Sequence, residues 1–410
     1  MSSEFDVVVA GGGHVGASLA LALKEGAPRP PGAVLDPPPP PAGPDARASA
    51  IAAAARRMLE RLGVWGEIAP HSQPIVDMIV TDSRLDDVVR PVFLTFDGAL
   101  TTGEPFAHMV PNAVMVSALL DAARAAGVAV MMPERVTGFD VGETRVDVRL
   151  GSGATLSAGL LVAADGVRSK LRDLAGIGVV RWDYGQSGIV TTVAHERPHD
   201  GRAEEHFLPS GPFAILPLTD DAAGRHRSSL VWSEKSTAAD RLVKGDDFTF
   251  GLELERRFGR HLGAVEVLAK PKAFPLGLTL ARDFVRPRFA LVGDAAHGIH
   301  PIAGQGLNMG FRDVAALAEV IVEARRLGLD PGRIDVLERY QRWRRFDAVE
   351  MGIVTDVLNR LFSNDLGPLR ALRDFGLGVV DRLATLKSRF IGEAAGVGGS
   401  IPRLLRGEAL

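Results

Sequence analysis

The chain opens with an apolar run, Phe5–Ala10, that ends at three closely spaced glycines, Gly11, Gly13 and Gly16. Apolar residues then continue at helical spacing as far as Leu23. This order predicts a buried strand, a tight turn and a helix. A second short apolar run ends in Asp36, about 20 residues beyond the last of these glycines, and predicts the next strand.

A similar order recurs far along the chain. The apolar run 289–292 leads into Gly293 and Asp294, then into a loop rich in proline and glycine, and then into a helical pattern from about Gln305. The pattern again predicts strand, turn, loop and helix. An ordinary strand-loop-helix crossover would explain this segment taken alone.

The remaining pattern predicts helices and strands in alternation. Helices are predicted over 48–62, 112–126, 246–258, 339–362 and 365–390. Alternating strands are predicted over 74–96 and 184–276, and a hairpin over 134–150 and 154–163. Five consecutive prolines at 37–41 predict a stiff surface loop with no further function. The expected class is α/β, with a Rossmann-like domain interleaved with a mixed β-sheet domain, followed by C-terminal helices.

The first glycine cluster suits a dinucleotide. Gly11 permits the tight turn, Gly13 lets a pyrophosphate approach the backbone, and Gly16 lets the helix contact the strand. Asp36 stands where a carboxylate binds a ribose hydroxyl. A lone glycine motif is weak evidence, but its position between a strand and a helix, with an acid at this distance, is a strong signal.

The segment after residue 289 suits a flat ligand that carries negative charge at one edge, such as a reduced flavin. Asp294, at a strand end, can accept hydrogen bonds from a sugar-like hydroxyl. Pro301, Gly304 and Gly306 let the backbone approach a ring closely. The predicted helix start carries roughly half a positive charge.

These regions resemble the FAD-dependent aromatic hydroxylases, and in particular the ubiquinone-biosynthesis hydroxylases, which act on polyprenylated phenols. Three further segments carry the resemblance: residues 160–172 with Asp-Gly-x-x-Ser-x-x-Arg, residues 184–218, and the tail around 355–364 and 386–387. The cue specific to the ubiquinone enzymes is Pro-x-Ala-Gly-Gln-Gly-Leu-Asn at 301–308. The resemblance covers nearly the whole chain.

The resemblance implies a discontinuous FAD-binding domain over 1–71, 109–178 and 281–345. It implies a substrate-binding sheet domain over 72–108 and 179–280, and a C-terminal helical region over 346–410. The site residues that it implies are the following. Cofactor-binding residues are Gly11, Gly13, Gly16, Asp36, Arg47, Asp165, Gly166, Gly293, Asp294, Gly306, Leu307 and Asn308, and the flavin edge is formed by Pro301, Gly304, Gln305 and Gly306.

Some of these assignments have simpler alternatives. Arg47 stands where the family places an arginine near the flavin pyrophosphate, but a surface arginine is the alternative. Asp165 and Gly166 form a turn near the cofactor, from which Arg172 can meet a phosphate, or a plain strand-end turn. In the family a glutamate commonly precedes Asn112, whereas Pro111 stands there in this chain.

Composition narrows the chemistry. The chain has no cysteine, which excludes thiol chemistry, disulfides and iron–sulfur clusters. The histidines show no helical metal-binding pair, so we expect no metal. A net charge of −3 argues against nucleic-acid binding. No second glycine motif lies between a strand and a helix, so we expect no dedicated nicotinamide domain.

The implied reaction is hydroxylation of an aromatic ring through a flavin hydroperoxide. O2 is the co-substrate, and NAD(P)H or a separate electron-transfer partner is the reductant. Phe207, Phe213 and Ile215 are candidates for the substrate surface, although core packing explains such residues equally well. Two alternatives stay open: an FAD monooxygenase of another lipophilic aromatic compound, and a low-turnover flavoprotein within a quinone-biosynthesis complex.

The location follows from the substrate. The acids Glu4 and Asp6 argue against a signal peptide, and no apolar run reaches the roughly 18 residues that span a bilayer. We expect a cytoplasmic protein that contacts the inner membrane peripherally or joins a quinone-biosynthesis complex. The basic residues that could contribute are Arg370, Arg373, Arg382, Lys387 and Arg389, and a solvated helix face is the alternative.

Overall fold

The computed structural model describes residues 4–25, 32–36, 47–82, 85, 92–97, 103–300 and 304–362, and near the C-terminus 392, 395, 396, 398 and 400–410. The proline run at 37–41, the predicted turn at 86–87, Pro301, the predicted helix over 365–390 and the five basic residues from Arg370 to Arg389 lie outside the described residues.

The strands are, in chain order, β1 (Glu4–Ala10), β2 (Gly32–Leu35), β3 (Ala48–Ala52), β4 (Gln73–Ile75), β5 (Asp77–Asp82), β6 (Val92–Asp97), β7 (Ala107–Pro111), β8 (Ala129–Met131), β9 (Val136–Val141), β10 (Val146–Leu150), β11 (Thr155–Ala163), β12 (Val179–His195), β13 (Arg202–Leu208), β14 (Gly211–Leu218), β15 (His226–Lys235), β16 (Val265–Val267), β17 (Lys272–Ala281), β18 (Val285–Arg286), β19 (Phe289–Leu291) and β20 (His297–Gly298).

The α-helices are α1 (His14–Glu25), α2 (Ala53–Arg61), α3 (Trp65–Ile68), α4 (Asn112–Ala125), α5 (Lys170–Leu174), α6 (Ser236–Lys244), α7 (Asp247–Phe258), α8 (Gln305–Arg326) and α9 (Ile334–Phe362). Short 3-10 turns cover 69–71, 293–295 and 403–406. The predicted helices at 112–126 and 246–258, and the helix starting near Gln305, are confirmed.

The first sheet is Rossmann-like, with parallel strands β19, β11, β1, β2 and β8 and antiparallel strands β18, β10 and β9. Its strand order is β18-β19-β11-β1-β2-β8, and β9 and β10 extend it beside β11. The central strand β1 pairs in parallel with β2 on one side and β11 on the other. Val7, Val8 and Val9 are buried because α1 and α8 lie over this sheet. The carboxyl ends of β2, β1, β11 and β19 therefore meet at one edge, where ligands bind in such folds.

The second sheet has the order β20-β17-β12-β15-β14-β13-β5-β6, with β16 beside β12. We call the face that α6 and α7 cover the outer face. It includes Phe213, Ile215 and Trp232, which pack against helix residues such as Phe250. We call the opposite face the inner face. It contacts the rest of the molecule, through Ala203 and Leu218 against β7 and through Phe207 against α9.

A third sheet, β3-β7-β4, joins the first two. The predicted helix over 48–62 is wrong at its start, because residues 48–52 form β3 and only Ala53–Arg61 form α2. Small residues such as Ala48 and Ala50 are compatible with a helix by propensity, but pairing with β7 overrides it. The predicted domain boundaries stay a prediction.

Candidate functional site

The turn after β1 brings three backbones close together. Gly11 has φ of +120°, and its N–H donates to the Leu35 carbonyl at 2.7 Å. A Cβ at Gly11 would lie 2.2 Å from the Ala164 carbonyl oxygen, and one at Gly16 would lie 1.9 Å from the Gly11 carbonyl oxygen. Neither position can hold a side chain, so the spacing of these glycines follows from the contact between strand and helix.

Gly13 differs from its two neighbours in the motif. A Cβ there would meet nothing within 4 Å, so the start of α1 is open to a ligand. The first turn of α1 contains no acidic residue that would oppose an anion. At the end of β2, burial raises the pKa of Asp36, and the hydrogen bond from the Gly12 backbone opposes the rise. The turn thus combines a helix N-terminus with open space in front of it and an acid next to it.

The third strand end carries the Asp165–Gly166 turn. Gly166 has φ of +81° and open space around it, and Asp165 accepts a weak hydrogen bond of 3.4 Å from the Leu171 N–H. The expectation that Arg172 meets a phosphate is wrong. Its side chain is buried and donates to the carbonyl oxygens of Val167 and Ala295 at 3.2 and 2.9 Å. It therefore ties this turn to the turn after β19.

The fourth strand end carries Gly293 and Asp294. Gly293 has φ of +60°, and a Cβ there would approach Val15 of α1 to 3.1 Å. Solvent reaches the Asp294 side chain, although protein atoms surround most of it. Burial raises the pKa of Asp294 and nearby Asp313 adds to the rise, although the charges of His297 and Arg47 oppose it.

Asp313 holds this turn in place, a role that the sequence analysis missed. Its carboxylate is fully buried in α8 and accepts the Gly293 N–H at 2.9 Å and Arg344 Nε at 2.8 Å. His297 Nε2 lies 2.5 Å from the same carboxylate. Burial alone would raise the pKa of Asp313, but His297 and Arg344 outweigh burial and lower it. The only sequence signal was an acid two turns into an apolar helix.

The N-terminus of α8 faces the same region. Gly304 has φ of +63° and precedes the helix without a side-chain cap. The first N–H groups, at Gln305, Gly306 and Leu307, therefore lack partners within the helix. A Cβ at Gly306 would meet nothing within 4 Å, whereas Gln305 is buried. The predicted flavin edge thus lies at the positive end of a long helix, with open space at Gly306.

Asn308 fixes the position of this helix start. Its side-chain oxygen accepts the Ala52 N–H at 2.9 Å, and its side-chain nitrogen donates to the carbonyl oxygens of Ala50 and Gly304 at 2.9 and 3.1 Å. These bonds join α8 to β3. The side chain is therefore a positioning group for the loop, and any contribution of Asn308 to the cofactor comes through that placement.

Arg47 lies at the start of β3 with an exposed side chain. Its guanidinium lies 5.5 Å from the centre of the Phe274 ring, on the inner face of the second sheet. It is also near enough to Asp294 to lower the pKa of that carboxyl. Arg47 is thus placed between the first-sheet edge and the second sheet, where a bound dinucleotide would pass.

The three predicted substrate residues do not share one surface. Phe213 and Ile215 lie on the outer face, where the Phe213 ring lies 6.0 Å from the Trp232 ring in a core closed by α6 and α7. Core packing, the alternative that the sequence left open, accounts for both. Phe207 lies on the inner face with Val80 and Leu94.

The residues at this edge fit FAD. Gly13 leaves space where a pyrophosphate would lie, Asp36 offers a carboxylate for a ribose hydroxyl, and Gly306 leaves the start of α8 open to a ring. These features lie at the carboxyl ends of adjacent parallel strands or at a helix N-terminus, as dinucleotide sites do. Contact between these residues and FAD stays a prediction.

Comparisons with known proteins agree with this fit. The family described as FAD binding domain matches residues 4–349. The chain is 45% identical to the ubiquinone hydroxylase UbiL of Rhodospirillum rubrum, over 99% of this chain and 93% of the relative. It is 36% identical to the 3-demethoxyubiquinol 3-hydroxylase of Escherichia coli, over 96% of this chain and 98% of the relative.

Among solved structures, p-nitrophenol 4-monooxygenase PnpA from Pseudomonas putida DLL-E4 shares the fold. The TM-score is 0.79 at 21% identity, and the match covers 98% of this chain and 100% of that one. This likeness confirms the predicted fold class, and the sequence relatives confirm the predicted family. The chain belongs to the FAD-dependent hydroxylases of ubiquinone biosynthesis.

Proposed function

We propose that this protein is an FAD-dependent monooxygenase that hydroxylates the aromatic ring of a polyprenylated phenol in ubiquinone biosynthesis. One oxygen atom comes from O2, and NAD(P)H or a separate electron-transfer partner supplies the electrons. The observation that carries the proposal is the similarity to ubiquinone-biosynthesis hydroxylases over nearly the whole chain, combined with a cofactor edge that meets the inner face of the second sheet.

The meeting of the two parts supports a site between them. Asn308 of α8 bonds to the Ala50 carbonyl in β3, and Ala50 pairs with Met109 of β7 and packs against a cluster that includes Ala203 of the inner face. The start of α8 is therefore linked through β3 to the inner face of the second sheet. A ring held between them would be shielded from water, which this class of chemistry requires.

FAD, when bound, supplies the redox chemistry that activates O2. The chain supplies position and charge. The N–H groups of Gln305, Gly306 and Leu307 would stabilise negative charge at the flavin edge, and losing one such donor costs about 3 kcal/mol in a reaction barrier. Asp36 would bind a ribose hydroxyl, and Asp313 would hold the Gly293 turn through the bonds described above.

The lipophilic phenol also bears on location. In the part of the chain that the structure describes, no helix is long and apolar enough to cross a membrane. Exposed apolar side chains follow one side of α9, at Phe346, Ile353 and Val357, with the exposed Arg342 before them and Arg360 after them in the chain. These residues support a peripheral contact with an anionic membrane or with a quinone-biosynthesis complex.

A genetic experiment tests the function. Deleting the gene should cause a polyprenyl phenol one hydroxyl short of the next intermediate to accumulate, as read by mass spectrometry of the quinone lipids. The wild-type gene should restore the profile, and so should Gly306→Ala, because that position has room for a Cβ. Gly306→Asp should fail, because a carboxylate at the helix start repels an anionic ligand while still suiting the helix.

The purified variants separate folding from function. Gly306→Asp should unfold at the wild-type temperature but lose most of its flavin absorbance after gel filtration. Normal flavin content and normal complementation by this variant would refute the placement of the flavin edge. An unchanged lipid profile in a strain that also lacks any sister hydroxylase would refute the quinone function itself.

A further inference from the structure

Strand β13 places two neighbouring glutamates on opposite faces of the second sheet. Glu204 is 6% exposed and Glu205 is 5% exposed. Glu204, on the outer face, lies 2.7 Å from His261 Nε2 and 3.2 Å from His206 Nε2. Glu205, on the inner face, forms no hydrogen bond or ion pair with the described residues, and burial is the sole influence on its pKa. Such an unpaired buried carboxyl is costly and calls for a function.

The surroundings of Glu205 are apolar and lead toward the cofactor edge. Its cross-strand neighbours are Ala214 and Val80. Two residues before it on the same face, Ala203 belongs to the cluster that reaches Ala50 beside the start of α8. Two residues after it, Phe207 belongs to a cluster with Val80, Leu94 and two leucines of α9. Residues two apart in a strand are about 7 Å apart, so Glu205 interrupts an otherwise apolar strip.

Charged groups on the surrounding elements are engaged elsewhere or lie further along the sheet. Asp82 of β5 shares the inner face but lies opposite Phe207. Arg227 of β15 donates to the Thr219 carbonyl, and Asp356 of α9 accepts from Trp182 and Arg360. The side chains that β4, β7 and β14 direct into the cluster next to Glu205 are apolar.

Burial raises the pKa of Glu205 to about 7. A carboxyl with a pKa near the working pH is populated in both protonation states, which is what a general acid–base group requires. By contrast, the histidines around Glu204 outweigh its burial and hold its pKa at about 2. That carboxylate stays ionised and has no proton to exchange near neutrality.

We propose that Glu205 binds the hydroxyl of the phenol substrate and acts as its general base. This inference rests on the proposed function. The substrate O–H bond breaks, its electron pair stays on oxygen and makes the ring carbons more nucleophilic, and the proton moves to a Glu205 oxygen. The ring carbon gains one oxygen atom of O2, with electrons that bound reduced FAD would supply, and its own hydrogen leaves as a proton that ends in the water formed from the other oxygen atom. Glu205 then returns its proton to the phenolic oxygen. The prenyl tail then extends along the Phe207 cluster.

Single-turnover chemistry tests the role without a chosen reductant. The FAD-loaded wild type, Glu205→Gln and Glu204→Gln are reduced with dithionite and mixed with O2 and a methoxyphenol that carries a geranyl tail. Hydroxylated product is measured by mass spectrometry from about pH 5 to about pH 9, and phenol affinity by equilibrium dialysis. Glutamine keeps the shape of Glu205 and can still form a hydrogen bond with the phenol hydroxyl, but it cannot take a proton.

Glu205→Gln should slow product formation by roughly 10²-fold or more and remove the rise of the wild-type rate near pH 7, with flavin content and phenol affinity nearly unchanged. Glu204→Gln should keep the wild-type pH profile. A wild-type rate and profile in Glu205→Gln would overturn the role of Glu205 and leave the proposed function intact. If Glu205→Gln does not retain FAD, the wild type alone decides the question. A wild-type rate of product formation that does not change between about pH 6 and pH 8 then overturns the role of Glu205. A wild type that hydroxylates no phenol overturns both.

Discussion

The outer and inner faces of the second sheet each bury a glutamate, but they give the two carboxyl groups opposite pKa shifts. On the outer face, Glu204 meets two histidines, His206 and His261. On the inner face, Glu205 is buried to the same degree and has the apolar cross-strand neighbours Ala214 and Val80. Their pKa values, about 2 and about 7, lie on opposite sides of an ordinary value of 4.5.

This comparison separates two uses of a buried carboxyl. A carboxylate with partners stabilises the fold and has no capacity left for a ligand. A carboxyl without partners costs stability unless a ligand completes it. Asp313 at the cofactor edge belongs to the first kind, because Arg344, His297 and the Gly293 N–H satisfy it.

Removing the charge of a fully partnered carboxylate should have the largest effect. Asp313→Asn leaves Arg344 buried without its main partner, so we expect a loss of about 3–5 kcal/mol in the free energy of unfolding. FAD retention should fall as well, because the Gly293 turn loses its anchor. Denaturant unfolding and flavin absorbance after gel filtration measure the two effects.

Asp335→Asn is the matched control, since Asp335 also pairs with an arginine, Arg333, but both side chains are 63% exposed. It should show no measurable loss, because solvent screens such a pair. If Asp313→Asn proved as stable as Asp335→Asn, the claim that Asp313 stabilises the fold would be wrong.

The two glutamates should change the free energy of unfolding in opposite directions as the pH rises. Glu204 ionises more readily in the folded state, so its contribution is present above about pH 4.5 and is lost as the pH falls toward 2. Glu205 keeps its proton in the folded state, so its contribution declines as the pH rises from about 4.5 to about 7. Each shift corresponds to about 3 kcal/mol.

At pH values near 8, Glu204→Gln should therefore be less stable than the wild type and Glu205→Gln more stable. Thermal unfolding of the wild type and the two variants from about pH 2 to about pH 8 measures these differences in stability. If the stability of both variants changed with pH in the same way, the two faces would provide equivalent environments and the comparison would be wrong.

A neutral partnered side chain should give the smallest effect. Asn308→Ala removes three hydrogen bonds and leaves the Ala52 N–H and the Ala50 carbonyl without partners, at a cost of about 2 kcal/mol. FAD affinity should fall, because the start of α8 loses its connection to β3. Isothermal titration of the apoprotein with FAD measures that loss, and unchanged affinity would show that Asn308 does not position the helix for the cofactor.

The cofactor part of the molecule was more predictable than the substrate part. The glycine spacing, the acid at the end of β2 and the Gly293–Asp294 turn are local signals, and their elements form as predicted. The strand β3 was missed because its conformation depends on pairing with β7 and on Asn308, more than 250 residues away. Phe213 and Ile215 look like surface candidates until α6 and α7 cover them.

The sequence by itself determined the strand-turn-helix elements at the two glycine-rich segments, the family, and the glycine and acid positions that suit a dinucleotide. These features depend on backbone conformation and on periodicity within short segments, which the chain carries locally. Only the tertiary structure decided what each buried charge does. Period-two alternation places Glu204 and Glu205 on opposite faces and His206 on the face of Glu204, but it does not say that a distant histidine joins them. That difference arises because His261, from the loop after α7, folds over the outer face and leaves Glu205 with apolar neighbours on the inner one.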